Sequence, residues 1–111
     1  MDLSEQKLYA YRGNKVLKEF TVSTGRWNTP TPIGEFRVWI KLLYDDMEGP
    51  GYFYPKVPYV LYFYQGYGIH GTYWGTPIGQ PASAGCITMR NEDAAWVYEH
   101  ADVGTLIKIH P

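Results

Sequence analysis

Hydrophobic and polar positions alternate with a period of two along most of the chain, the pattern of strands with one buried face. "KLYAYRGNKVLKEFTVSTG" holds two β-rich runs parted by Gly13-Asn14, a pair suited to a tight hairpin turn. "GEFRVWIKLLY" predicts a strand with Phe36, Val38 and Ile40 on one face and Arg37, Trp39 and Lys41 on the other. In "RWNTPTPIG", Pro30 and Pro32 forbid helix and demand an extended loop. "DDMEGPGYFYPKVP", broken by Gly49-Pro50-Gly51, Pro55 and Pro58, predicts a second long loop. Its Met47, Tyr52, Phe53 and Tyr54 make that loop a packed flap. "YVLYFYQGYGIHG" then reads as one β-prone run that delivers His70 at its end.

The period changes after Cys86. "NEDAAWVYEHA" predicts a helix of about three turns, with Asn91 as N-cap and Glu92 and Asp93 where the helix dipole favours anions. "VGTLIKI" closes the chain as a short strand after Gly104. There is no internal repeat and no boundary signal. The expectation is a mainly β fold, one domain over residues 1–111, with one short helix after Cys86.

Composition narrows the partners. The 111 residues are 45% hydrophobic, enough for one core, and carry a net charge of −1. That balance offers no electrostatic footprint for nucleic acid or an acidic membrane surface. No apolar run of membrane-spanning length and no signal-peptide pattern is present, so export is not judged from this chain. Eleven tyrosines suit half-exposed sheet faces, and also contacts with amphipathic ligands such as sugars and peptides. The single cysteine excludes an internal disulfide, so the fold must hold by packing.

That cysteine ends "HGTYWGTPIGQPASAGC", a stretch of glycine, proline and small residues that reads as loop. Packing cysteines sit inside apolar runs, whereas Cys86 follows Ser83-Ala84-Gly85. A nucleophilic thiol needs a base, and His70, at a strand end before Gly71-Thr72, is aimed where a cleft would form. His100 and His110 read as solvated surface residues. Ala84 and Gly85 would let backbone amides approach a developing oxyanion, and Gly85 can take left-handed angles. Ser83 would bond either the turn or the imidazole. Asp45 and Asp46 read as loop solvation, because neighbours on an extended chain point apart. No zinc spacing, phosphate-cradling loop, calcium loop or Gly-x-Ser-x-Gly elbow is present.

"IHGTYWG" followed by "SAGCITMRNEDAAWVYEHADVGTLIKI" resembles the L,D-transpeptidase catalytic domain, the YkuD-like family of bacterial cell-wall enzymes. "DLSEQKLYAY", "FTVSTG" and "TPTPIGEFRV" are similar to that family's opening strands and its Thr-Pro-x-Gly loop, so the resemblance covers nearly the whole chain. It implies two sheets packed as a sandwich, with Cys86 as nucleophile in a cleft under a flap and His70 as base. Gly85, Ser83 and Gly71 would support the site and its oxyanion, and Tyr52 and Tyr54 would line the wall for the substrate. The implied reaction is acyl exchange on peptidoglycan stem peptides through a thioester, giving 3→3 crosslinks without metal or organic cofactor. Carbapenems would acylate the cysteine, the enzyme would act in the cell envelope, and a monomer is the default.

Two positions depart from the family's pattern. Ala84 stands where a histidine is usual, and Thr88 where arginine or asparagine is common, with Arg90 offered as a substitute for carboxylate binding. These departures leave two alternatives: a weakened domain that binds stem peptides, or an L,D-carboxypeptidase on the same scaffold.

Overall fold

The computed structural model describes residues 1–49, 52–72 and 77–111. The Pro50-Gly51 break and the Tyr73–Thr76 part of the spacer after His70 lie outside the described residues. The fold is mainly β. Its strands are β1 (Lys7–Arg12), β2 (Lys15–Thr21), β3 (Gly34–Arg37), β4 (Ile40–Gly49), β5 (Tyr52–Tyr64), β6 (Tyr67–His70), β7 (Ile87–Thr88) and β8 (Leu106–Ile109). The helix α1 (Asn91–His100) lies between the last two strands.

Gly13, at a φ of 61°, makes the predicted turn between β1 and β2, which pair as an antiparallel ribbon. β3 pairs antiparallel with β8, and β4-β5-β6-β7 form a four-stranded sheet whose last pair is parallel. The start of the chain joins these units, since Asp2 bridges both Lys7 and His110. Leu8, Phe20, Val22, Val38, Leu61, Ile69, Ile87, Met89, Val97 and Ile109 are buried together, so every sheet and the helix contribute to one core. Each such side chain is worth roughly 1.5–3 kcal/mol of apolar burial.

Three expectations about the strands need correction. The predicted long loop from Asp45 to Pro58 is the end of β4 and most of β5, a paired hairpin. Pro55 is absorbed by a bulge, where the register shifts between Asp45 and Met47 and Lys56 takes a φ of 52°, while Pro58 stays in the ladder opposite Tyr44. The Lys56 N–H then donates to Asp46 Oδ1 at 2.8 Å instead of to the partner strand. The run from Gly34 to Tyr44 is two strands, because the chain leaves β3 at Val38 and enters another sheet at Ile40. Likewise the run ending at His70 turns at Gln65, whose φ is 50°, and is divided between β5 and β6.

Asn91 is not the N-cap of α1. That position falls to Arg90, with no side-chain cap, and Asn91 instead accepts the Thr72 N–H at 2.7 Å through Oδ1. Glu92 and Asp93 do occupy the first turn. No helix among the described residues is long and apolar enough to cross a membrane.

Candidate active site

The parallel pair β6–β7 aligns Ile69 with Ile87 and His70 with Thr88. One step back along the same register sets Cys86 beside Gly68, whose N–H bonds toward the thiol. Because side chains alternate across a strand, Gly68, His70, Cys86 and Thr88 all belong to one face. His70 and Cys86 are therefore diagonal neighbours on that face, with Cα atoms about 8 Å apart from strand spacing and rise. The sixteen-residue separation in sequence is the length of the loop that brings the chain back parallel to β6.

His70 is buried, and its Nδ1 lies 2.6 Å from the Gly71 carbonyl oxygen. A carbonyl only accepts, so Nδ1 carries the proton and Nε2 keeps its lone pair. Burial lowers the imidazole pKa to about 4, with the Gly71 hydrogen bond opposing the shift. The ring is thus neutral and a proton acceptor at neutral pH. Cys86 Sγ lies 3.7 Å from the Gly66 carbonyl, and burial pushes the thiol above its ordinary range despite the Gly68 N–H. The resting pair is thiol and imidazole, both uncharged.

Gly71 has no room for a side chain, since a Cβ there would stand 2.4 Å from Asn91 Oδ1. Its N–H donates to the Pro58 carbonyl at 2.9 Å, and Met89 N–H donates to the His70 carbonyl at 2.9 Å. The histidine backbone is held on both sides.

The cysteine turn is built as tightly. Gly85 sits at a φ of 124°, and a Cβ on it would lie 2.6 Å from Tyr67 Cε1. Ser83 Oγ donates to the Cys86 carbonyl at 2.5 Å and accepts the Gly85 N–H at 3.2 Å. Ser83 therefore serves the turn, not the imidazole. Ala84 points to solvent at the outside of that turn. Thr88 is buried, and its backbone exchanges hydrogen bonds of 2.7 and 2.9 Å with Ser23.

Polar residues that sequence reasoning passed over hold this turn in place. Buried Thr31 accepts the Gly25 N–H at 2.9 Å and donates to the Gly85 carbonyl at 2.8 Å. Ser83 N–H donates to the Thr24 carbonyl at 3.0 Å, and Arg26 N–H to the Ser83 carbonyl at 3.1 Å. Buried Gln6 in turn clasps Thr24, its Nε2 donating to Thr24 Oγ1 at 2.7 Å and its Oε1 accepting Thr24 N–H at 3.0 Å. The available signal was polar residues in short apolar or proline-bracketed segments, where solvation does not call for them.

Tyr52 and Tyr54 meet in a tilted ring contact, 5.7 Å between centroids. Desolvation first, and then the negative charge Cys86 carries when ionised, raise the Tyr52 hydroxyl pKa, so this ring stands in the electrostatic reach of the thiol. Arg90 lies with Nη1 3.9 Å from Asp93 Oδ2 at the start of α1. Among the described residues its one ion pair, to Asp93, does not carry it toward His70 or Cys86. A cleft of about 730 Å³ lies elsewhere, lined by Leu8, Leu17, Trp96 and Leu106 among others. Neither Cys86 nor His70 lines it.

A buried neutral imidazole and a thiol on one sheet face, over a glycine turn, suit acyl transfer through a covalent intermediate. The comparisons agree with that class. The profile of the L,D-transpeptidase catalytic domain family, YkuD, matches residues 1–109, and the chain belongs to this family. The YkuD protein of Bacillus licheniformis, which carries an L,D-transpeptidase name, is 30% identical over 115 residues, covering 100% of this chain and 64% of its own length. The YkuD protein of Bacillus subtilis is 33% identical over 101 residues, covering 87% of this chain and 56% of its own. This chain thus spans less than two thirds of either relative. Among solved structures, the L,D-transpeptidase LdtMt1 in complex with imipenem superposes with a TM-score of 0.90 at 25% identity, over 98% of this chain and 56% of that one. The Ldtfm–avibactam carbamoyl enzyme gives 0.89 at 29% identity, over 99% and 47%.

Proposed function

We propose that this chain is the catalytic domain of a peptidoglycan L,D-transpeptidase that forms 3→3 crosslinks through a Cys86 thioester. The observation that supports it is the shared face of His70 and Cys86, with Gly71 fixing the imidazole tautomer that leaves Nε2 as a base. Cys86 Sγ attacks the carbonyl carbon of the third residue of a donor tetrapeptide as Nε2 takes the thiol proton. The oxyanion is held by the Cys86 N–H and by the Gly85 N–H, whose 3.2 Å bond to Ser83 Oγ is long enough for a charged acceptor to displace. Collapse expels D-alanine, which takes its proton from the imidazolium. The amine of a neighbouring stem then attacks the thioester carbon, the C–S bond breaks, and Cys86 regains its proton through His70.

Because both groups are uncharged at rest, proton transfer accompanies attack. Tyr52 and Tyr54 line the donor side, and Arg90, beyond the turn, meets the stem's carboxylate. A substrate in the wall sets the workplace as the extracytoplasmic envelope. Carbapenems enter by the same attack on a strained amide carbonyl; the imipenem complex of the relative supports that entry.

The test is intact-mass spectrometry after incubation with a carbapenem. Wild type gains one adduct, Cys86→Ala none, and His70→Ala gains it far more slowly. An unmodified wild-type mass with a reactive thiol would instead favour a domain that only binds stem peptides.

A further inference from the structure

Tyr62 lies directly opposite Gly68 in the β5–β6 ladder and opposite Ile40 in the β4–β5 ladder. Its ring lies over Gly68, where a Cβ would come 3.0 Å from Tyr62 Cδ1, and the Gly68 N–H in turn bonds toward the Cys86 thiol. Trp39 stacks on the ring at 6.1 Å between centroids, so the tyrosine is clamped to the sheet beside the thiol. Its hydroxyl donates to Asp45 Oδ2 at 2.5 Å. Burial first, and then this bond, raise the hydroxyl pKa far above its ordinary value, so it remains a donor in alkaline solution.

Asp45 stands five positions along β4 from Ile40. On a flat ladder that is about 16 Å, further than the two side chains reach between them. The hairpin therefore arches toward the sheet face that carries Cys86. β5 supplies the bends, leaving extended backbone at Tyr59, with a φ of 55°, and at Lys56, with a φ of 52°. Ten positions separate Tyr52 from Tyr62 on this strand, about 33 Å if it ran straight. Desolvation has the largest effect on both hydroxyls, yet ionised Cys86 also acts on each. Tyr52 and Tyr62, from the two ends of one arch, flank the thiol.

We infer that the Tyr62–Asp45 bond is a strut that holds the Tyr52 arm of the hairpin over Cys86 and so sets how bulky an electrophile reaches the sulfur. This goes beyond the transpeptidase reading, because it governs access to the thiol whatever group arrives. A slim electrophile passes beneath the arm. A bulky one needs the arm to lift, which breaks the strut. Tyr62 and Asp45 are positioning residues: they act through the arm, not on the reacting atoms.

The experiment alkylates Cys86 at pH 9 with iodoacetamide and with a fluorescein maleimide, and compares the two rates by intact mass. In Tyr62→Phe the maleimide rate rises about tenfold relative to the iodoacetamide rate, as loss of one charge-assisted hydrogen bond would bring. Asp45→Ala gives the same rise, whereas Asp45→Asn, which keeps an acceptor for the hydroxyl, stays within about threefold of wild type. Because both residues serve one bond, the Tyr62→Phe/Asp45→Ala double variant is no more permissive than either single change. A merely structural role would move both reagents together. Thermal melting confirms that each variant is folded. An unchanged ratio in folded Tyr62→Phe and Asp45→Ala overturns the inference, and so does a double variant whose rise is the product of the two single rises. Penem acylation of wild type, run in parallel, tests the transpeptidase reading separately: its failure would overturn that reading and leave the alkylation ratio to decide the strut.

Discussion

Thr31 and Gly85 are joined by a hydrogen bond that ties the proline loop to the cysteine turn. Thr31 Oγ1 donates to the Gly85 carbonyl at 2.8 Å while accepting the Gly25 N–H at 2.9 Å. One buried hydroxyl therefore satisfies two backbone groups from segments 54 and 6 residues away. Thr31→Val keeps the shape and removes both bonds. It should cost about 2–4 kcal/mol in urea unfolding, since each stranded group carries a desolvation penalty. Penem acylation should slow at least tenfold, as Gly85 loses its anchor, whereas Thr31→Ser should stay close to wild type on both counts.

The catalytic candidates were legible because their chemistry is local. A thiol after small residues and a histidine at a strand end announce themselves by residue type and by the glycines beside them. Thr31, Thr24, Gln6 and Ser23 were not, because their role exists only when residues far apart in sequence meet. The hairpin of β4 and β5 reads as loop in the sequence because Pro55 and Pro58 each lack a ladder donor. A bulge with a left-handed Lys56 takes up Pro55 while Pro58 stays paired opposite Tyr44, and single-strand patterns do not show it. Asp45 followed the same error: on a loop it is solvation, on β4 it meets Tyr62. Asn91 reads as a cap because its side-chain oxygen seeks backbone N–H groups. It found Thr72 instead of its own helix.

His70 makes stability depend on pH. Its pKa falls to about 4 on folding, from an ordinary value near 6.5. Above pH 6.5 the imidazole is neutral in both states, and the folded protein bears no penalty. Between pH 6.5 and 4 the unfolded chain binds a proton that the native state refuses, so stability falls as pH falls. The full loss is on the order of 3 kcal/mol. Urea midpoints from pH 7 to 4 should show this slope in wild type and a shallower one in His70→Gln. Equal slopes would mean that the ring is not held neutral by burial.

Cys86 should behave as a protected thiol until substrate arrives. Burial holds its pKa above the ordinary range, and the imidazole beside it is neutral. A preformed thiolate–imidazolium pair would alkylate at a constant rate down to about pH 5. Here the iodoacetamide rate should be low at pH 7 and still rising at pH 9. A plateau below pH 7 would show that the ion pair exists in the free enzyme, and attack would then start from thiolate.

Gly85 and Tyr67 test what the turn requires of its backbone. At a φ of 124° an L-residue is strained whatever its neighbours, and a Cβ would also stand 2.6 Å from Tyr67 Cε1. The two costs separate by mutation. Gly85→Ala should destabilise by about 1–3 kcal/mol from backbone strain, with the collision in addition. Tyr67→Ala removes the collision but also the ring that stacks on Tyr64 at 6.1 Å. In the double variant the collision term vanishes and the φ term stays, so the pair should be less destabilised than the sum of the single changes. Activity should not return with stability: the Gly85 and Cys86 amides are positioned by that same φ, and a relaxed backbone aims them elsewhere. Recovery of both stability and penem acylation in the double variant would show that the glycine is there only to make room for the ring.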